Sequence, residues 1–405
     1  MRISTTQYFG MNVQTMDDQQ STLAQLYQQL SSGVSLATPS DNPVGAAQAV
    51  QLSMQGATLS QYADNQNTAL SYLQAEDSSL TSVSNVLTAI TTQLVHAGDG
   101  SLNDANRGSI ATALQGLRNQ LVGLANGADP SGNYLYGGYQ ATTAPFSVGS
   151  SGAVQYNGDN GVQNVQITNT RNIAVADTGQ SVFLSTSLAG SSSVTGGSLS
   201  NTGTGAIGGV TTNNTTDPTN QDKFTISFTS ATTYTVTDNT TSSTSAPQTY
   251  TAGQPITLGG GGQSVTISGA PNAGDNFTVA PAARSADVFA NLDSVIAALQ
   301  KPVSGASDQT NLTNALNTAL IQFHNTLNNV TTVQTSVGGR EQEVQALQSI
   351  TQSNNLQTQS NLADLTQTDL TSVISKYTMT QFSLQAAQQG FSMIQKLSLF
   401  NYIGN

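Results

Sequence analysis

The chain has 405 residues, with 22 Asp and Glu against 10 Lys and Arg and a net charge of −12. That balance argues against a nucleic-acid surface, which needs clustered cations, and against an anionic membrane surface; it fits a solvated exterior. With no cysteine, disulfides and thiolate metal sites are excluded.

The opening residues hold one Arg2 and no apolar core, so no conventional signal peptide is expected. No run of about 18 apolar residues marks a membrane-spanning helix. Charged residues make up only 8% of the chain, and a surface of uncharged amides and hydroxyls repels identical neighbours weakly.

Phe9, Val13, Met16, Gln20, Leu23, Tyr27, Leu30 and Val34 fall on steps of three and four. Such spacing predicts an α-helix from about Thr5 to Ser32 with one apolar stripe. Gly33 breaks it, and Pro39-Ser40-Asp41-Asn42-Pro43 reads as a bend, with Asp41 or Asn42 capping a helix that starts at Pro43 and runs to about Ser53. A second register follows through Leu59, Tyr62, Gln66, Ala69, Leu73, Glu76, Leu80, Val83, Leu87, Ile90, Leu94 and Ala97. It predicts a coiled-coil helix spanning about 58 Å, ended by Gly98-Asp99-Gly100. Ile110, Leu114, Leu117, Leu121 and Leu124 share a face of the next helix, from Asp104 to Gly127. Asn133 to Tyr139 reads as a short aromatic strand.

From about 144 to 284 the period changes to two, at Val165/Ile167, Phe224/Ile226/Phe228, Tyr234/Val236, Val265/Ile267 and Phe277/Val279. Ser230-Ala231-Thr232 suits a hairpin turn, and the Ser/Thr/Gly/Asn-rich stretch 185–220 reads as a long mobile loop. Helical spacing returns at Asp287, with Leu292, Val295 and Leu299 on one face, and again over 309–337. Gly338-Gly339 is expected to interrupt that helix. A last helical run starts at Arg340, where Leu370, Val373, Tyr377, Thr380, Leu384, Ala387, Phe391 and Ile394 repeat the three–four steps of the N-terminal end.

No catalytic constellation is visible. His96 and His324 lie apart, without a second histidine at zinc spacing, and no Gly-x-Ser-x-Gly elbow or Walker lysine occurs. The glycines Gly259 to Gly262 lie between strands, not ahead of a helix, so they suit a turn better than a phosphate cradle. Asp17-Asp18 and Glu76-Asp77 fit solvated helix faces. No enzyme activity, cofactor or metal is expected.

These patterns give an α+β fold: a long antiparallel helical bundle or coiled-coil rod formed by both termini, with an inserted β-rich domain at its tip. The expected divisions are 1–40 with 345–405, 41–143 with 284–344, and 144–283. Terminal stripes cannot be sheltered by flanking chain, so they pair with each other, with other subunits, or both. The expected assembly interface is Val13, Met16, Leu23, Tyr27 and Leu30 with Leu370, Val373, Tyr377, Leu384, Ala387, Phe391 and Ile394.

Four motifs in order resemble the bacterial flagellin family: Leu30-Ser31-Ser32-Gly33 with Pro39-Ser40-Asp41-Asn42-Pro43; Asn133 to Tyr139 with Pro145-Phe146; Val337-Gly338-Gly339-Arg340; and Met393-Ile394-Gln395-Lys396-Leu397-Ser398-Leu399-Phe400. The last resembles the branch of that family found at hook–filament junctions. The resemblance covers about 1–145 and 284–405. It implies export through the flagellar type III channel to the extracellular flagellum, with a chaperone on the C-terminal helix. It further implies a structural adaptor that assembles with copies of itself, with another hook-associated junction protein and with flagellin, its terminal helices forming the inner layers and its middle domain projecting outward. No nucleic acid or membrane insertion is implied. A flagellin filament subunit and a surface adhesin are the alternatives.

Overall fold

The computed structural model describes residues 5–36, 38, 42–129, 131–186, 192–282 and 286–403; the side chains of 5, 6, 8 and 394–403 lie outside that description. The chain divides into two compact units, Met1–Asp64 with Leu347–Asn405 and Asn65–Ala346.

Helix α1, Thr5–Ser32, has the expected span. It ends because Gly33 takes a left-handed backbone (φ 69°), letting its N–H reach the Gln29 carbonyl at 2.9 Å. Asn42 caps α2, its Oδ1 accepting from the Gly45 N–H at 2.9 Å, with Pro43 as the first helical residue. Asp41, the other candidate cap, lies outside the described residues.

Helix α2 is a single element, Pro43–Ala97, not two. Gly56 does not interrupt it, because a helical glycine costs only about 1 kcal/mol relative to Ala, and a long helix offsets this by propagation. The heptad register is realised in its second half, where every position of that register from Gln66 to Ala97 is buried.

Helix α3, Asp104–Ala125, is capped by Asn103, whose side chain accepts from the Asn106 N–H. Beyond it the expected strand at Asn133–Tyr139 is absent: Tyr134 makes one antiparallel bridge to Ala128, then the chain turns. The local pull toward turns at Gly137 and Gly138 outweighs the aromatic preference for strand. Tyr136 instead enters an aromatic cluster, 5.2 Å edge-to-face from Phe183, with Phe146 and Phe289 beside it.

The period-two segments all form strands, among them β3 Asn164–Gln166, β8 Phe224–Ser230, β9 Thr233–Asp238, β13 Gln263–Ser268 and β14 Asn276–Ala280. β8 and β9 are the expected hairpin, antiparallel with Phe228 opposite Tyr234. The stretch 185–220 is not a plain loop. It contributes β5 Val194–Gly197, β6 Ala206–Ile207 and β7 Thr211–Thr212, whose partners come from β14 and β13; residues 187–191 lie outside the description. Hydroxyl- and glycine-rich strands carry little alternation, so only long-range pairing reveals them.

Besides two-stranded pairs such as β3 with β4 (Asn172–Ala174), the strands form two larger sheets, a six-stranded one in the order β10 (Ser243–Thr244)-β9-β8-β14-β5 with β11 (Gln248–Thr249) beside β9, and a four-stranded one in the order β12 (Pro255–Leu258)-β13-β6 with β7 beside β13. One apolar core draws on both, including Phe224, Phe228 and Phe277 from the first and Leu258, Val265 and Ile267 from the second. Alternation along β8 sends Phe224, Ile226 and Phe228 inward while Thr225 and Ser227 stay partly exposed.

Helix α5, Val288–Gln300, is capped by Asp287, as its acid-then-apolar start predicts. Helix α6 runs Ala306–Thr366, straight through Gly338-Gly339. The buried Val337 and Val344 on either side anchor it, which overrides the glycine penalty. The break falls instead at Gln367–Asp369, and Asp369 caps α7, Leu370–Ile403, by accepting from the Thr371 and Ser372 N–H groups.

Candidate assembly interface

Within the terminal unit, α1 packs against α7 in antiparallel sense. Phe9 meets Phe391 edge-to-face at 4.9 Å, and at the other end Val34 forms a β-bridge with Gln367. Two backbone hydrogen bonds flank that bridge, from the Ser35 N–H to the Thr366 carbonyl (2.8 Å) and from the Thr368 N–H to the Gly33 carbonyl (3.0 Å).

The predicted stripe divides between two faces. On α1, Phe9, Met16, Leu23 and Leu30 are half-buried, while Val13 and Tyr27 are exposed at 43% and 63%. The inner positions between them are Asn12, Gln19 and Leu26, each one residue earlier than expected. Leu26, buried at 8%, belongs to the seam and was absent from the expected set, although 23, 26 and 30 fit the same three–four spacing. The Gln19 side-chain oxygen is buried without a hydrogen-bond partner.

On α7, Val373 is buried, and Tyr377, Leu384, Ala387 and Phe391 are half-buried on the same face; Leu370 is 49% exposed, and the Ile394 side chain lies outside the description. A second apolar stripe runs along the opposite side: Met379, Phe382, Ala386 and Met393, spaced three, four and seven apart. Met379 is 73% and Phe382 72% exposed. At about 100° per residue this stripe sits some 150° from the covered one, so α7 is apolar on two sides and α1 covers one.

In the same unit, α2 and α6 approach through small and polar residues, with Gly56 next to Thr358. Val50 and Met54 of α2, and Ile350 and Leu356 of α6, remain exposed. Among the described residues, Leu26 and Val373 are the terminal unit's only buried large apolar side chains. Fourteen of the nineteen exposed large apolar residues among those described lie there. Apolar surface on that scale suits a face that takes part in binding.

The second unit holds the most perturbed titratable group. Glu76 of α2 is fully buried, and its Oε1 accepts the Asp177 N–H at 2.9 Å while Oε2 has no partner. Burial, and then the Asp177 carboxylate, push its pKa up to about 8; Arg340, which pairs with Asp177 and donates to the Ala174 carbonyl at 2.9 Å, offsets this in part. Burial also raises the Tyr136 phenol, which donates to Ser79 Oγ at 2.9 Å. Glu76 and Tyr136 are both fully buried in packed protein, which suits a structural role. His96 and His324 are exposed on separate helices, and no metal-binding cluster occurs among the described residues. Nor is any described helix long and apolar enough to cross a membrane.

Residues 3–141 match a family model for the bacterial flagellin N-terminal helical region. The whole chain is 28% identical over 401 residues to flagellar hook-associated protein 3 of Salmonella typhimurium, covering 99% of both, and equally so to that of Escherichia coli. Among solved structures, FlgL of Xanthomonas campestris superposes with a TM-score of 0.66 at 26% identity, covering 76% of this chain and 98% of its own. The flagellar junction protein FlgL from Legionella pneumophila gives 0.64 at 25%, covering 80% of this chain and 100% of its own.

Proposed function

We propose that the chain is a member of the bacterial flagellin family and a structural adaptor of the flagellum, joining the hook-associated zone to the flagellin filament. The observation that carries this reading is a terminal unit almost without a core of its own, in a chain alike over its full length to hook-associated protein 3. Such a unit is completed when helices of neighbouring subunits cover it. Its partners are further copies of itself, the other hook-associated junction protein on one side and flagellin on the other. Assembly belongs to 1–40 with 345–405, the helical segment to 41–143 with 284–344, and the strand-rich domain to 144–283.

The interface set Val13, Met16, Leu23, Tyr27, Leu30, Leu370, Val373, Tyr377, Leu384, Ala387, Phe391 and Ile394 divides by role. Met16, Leu23, Leu30, Val373, Tyr377, Leu384, Ala387 and Phe391 join α1 to α7, whereas Val13, Tyr27 and Leu370 face neighbours. Met379 and Phe382 extend the outward-facing group. The protein reaches the extracellular flagellum through the type III channel, with a chaperone covering α7 beforehand.

Deletion of the gene followed by microscopy tests the reading. Cells are expected to keep their hooks and shed flagellin into the medium, with filaments restored by the wild-type gene. Filaments that persist on the deletion strain would rule the role out. Phe382→Asp supplies the finer test. It places a charge on the exposed stripe, so the free chain keeps its helix content by circular dichroism while incorporation falls by about tenfold or more. Undiminished incorporation would remove this face from the interface.

A further inference from the structure

All six methionines of the chain, at positions 1, 11, 16, 54, 379 and 393, fall within the two terminal segments, and the chain holds neither cysteine nor tryptophan. Readily oxidised side chains are therefore concentrated in one unit. Four of these thioethers lie open to solvent: Met11 at 59%, Met54 at 66%, Met379 at 73% and Met393 at 60%. Met16 is half-buried on the seam between α1 and α7 and serves as an internal reference. Met379 and Met393 lie on the outer stripe of α7 beside Phe382, and Met54 lies one turn from Val50 on α2.

Methionine suits a surface that must fit unlike neighbours, because its unbranched, polarisable chain adapts its shape without a fixed rotamer. The same sulfur is open to two-electron oxidation, which turns an apolar group into a polar, chiral sulfoxide. We propose that Met11, Met54, Met379 and Met393 form a reversible oxidation site for peroxides or hypochlorous acid, and that their sulfoxides block assembly of the terminal unit. The inference rests on the reading that this unit's exposed faces are covered by neighbouring subunits.

The chemistry balances with the oxidant alone. A sulfur lone pair attacks one oxygen of hydrogen peroxide, the S–O bond forms and the O–O bond breaks. The departing hydroxide takes the proton from the transferred oxygen and leaves as water. Sulfur loses two electrons and the peroxide gains them. Methionine sulfoxide reductases return the thioether. A sulfoxide carried into an assembly seam gives up hydration that a thioether never had, and each one left without a donor weakens association by about tenfold. Once assembled, the covered sulfurs are out of the oxidant's reach.

Hydrogen peroxide applied to the purified full-length chain, with sulfoxides mapped by peptide mass spectrometry, is expected to modify Met54 and Met379 at least about fivefold faster than Met16. Function is read by adding the protein, then flagellin, to hooks isolated from the deletion strain and counting filaments. The oxidised chain should nucleate at most about a tenth as many filaments as the untreated one, and incubation with both reductase types should restore the count. A variant carrying M11L, M54L, M379L and M393L keeps the side-chain volume, and, whatever its own starting count, its peroxide-treated and untreated samples should nucleate equal numbers of filaments. The proposal is overturned if oxidised protein performs as well as untreated, if Met16 reacts as fast as Met379, or if the leucine variant is inhibited equally. Untreated protein that fails to nucleate filaments would count against the junction role itself, and the proposal would fall with it.

Discussion

Glu76 occupies a heptad position of α2 where an apolar residue would pack without cost. Its folded carboxyl keeps a proton up to about pH 8, against an ordinary value of 4.5 for an exposed glutamate. Between those values the folded state holds a proton that the unfolded chain has released. Stability therefore falls as pH rises from about 4.5 to about 8 and levels off above. Glu76→Gln keeps the shape, removes the titration and leaves an amide that can face Asp177. Thermal melts should show the variant more stable than wild type at pH 8 by on the order of 1 kcal/mol or more, with the difference vanishing near pH 4. An unchanged pH profile would place the titrating group elsewhere. Sequence alone presents Glu76 beside Asp77 as a solvated acidic pair; the 101 residues separating it from Asp177 conceal the enclosure.

Among elements, the long helices were largely legible because their apolar periods persist over many turns. Breaks were less so. Gly338-Gly339 carries the strongest local breaking signal in the C-terminal third, yet α6 passes through it, and the real break at Gln367–Asp369 has only a capping aspartate to announce it. A Cβ at Gly338 or Gly339 would meet nothing within 4 Å. Gly338→Ala should therefore stabilise the chain by about 0.5–1 kcal/mol, seen as a higher midpoint in urea; a lower midpoint would mean that the position is not helical in solution. The terminal stripe was read correctly as a period and only partly as a face. Steps of three and four allow two neighbouring registers, and the choice between Leu26 and Tyr27 is made by where α7 lies. The outer stripe of α7 was hidden for a related reason: a helix apolar on two sides shows no polar face against which either stripe stands out.

For the molecule as a whole, stability is distributed unevenly. Among the described residues, nearly all large buried apolar side chains belong to Asn65–Ala346, and the terminal unit contributes Leu26 and Val373. Hydrogen exchange on the free chain should show strong protection at buried positions such as Leu87, Phe277 and Val330, and amides near Leu23 and Leu384 that exchange orders of magnitude faster. Strong protection at Leu23 or Leu384 in the monomer would count against a unit that needs neighbours. The α+β class, the α1–α7 pairing and the strand-rich middle could all be anticipated from period changes along the chain. The strands within 185–220 could not, since residues of weak alternation become strands only through distant partners.

The bridge between Val34 and Gln367 has a kinetic consequence. It joins positions separated by 333 residues, the kind of contact whose closing entropy must be met before its two backbone hydrogen bonds return anything. Folding of Asn65–Ala346 shortens the free loop that has to close. The clasp at Gly33–Ser35 is thus expected to be among the last native contacts to form and the first to open, so a chain caught early in folding has its ends unfastened.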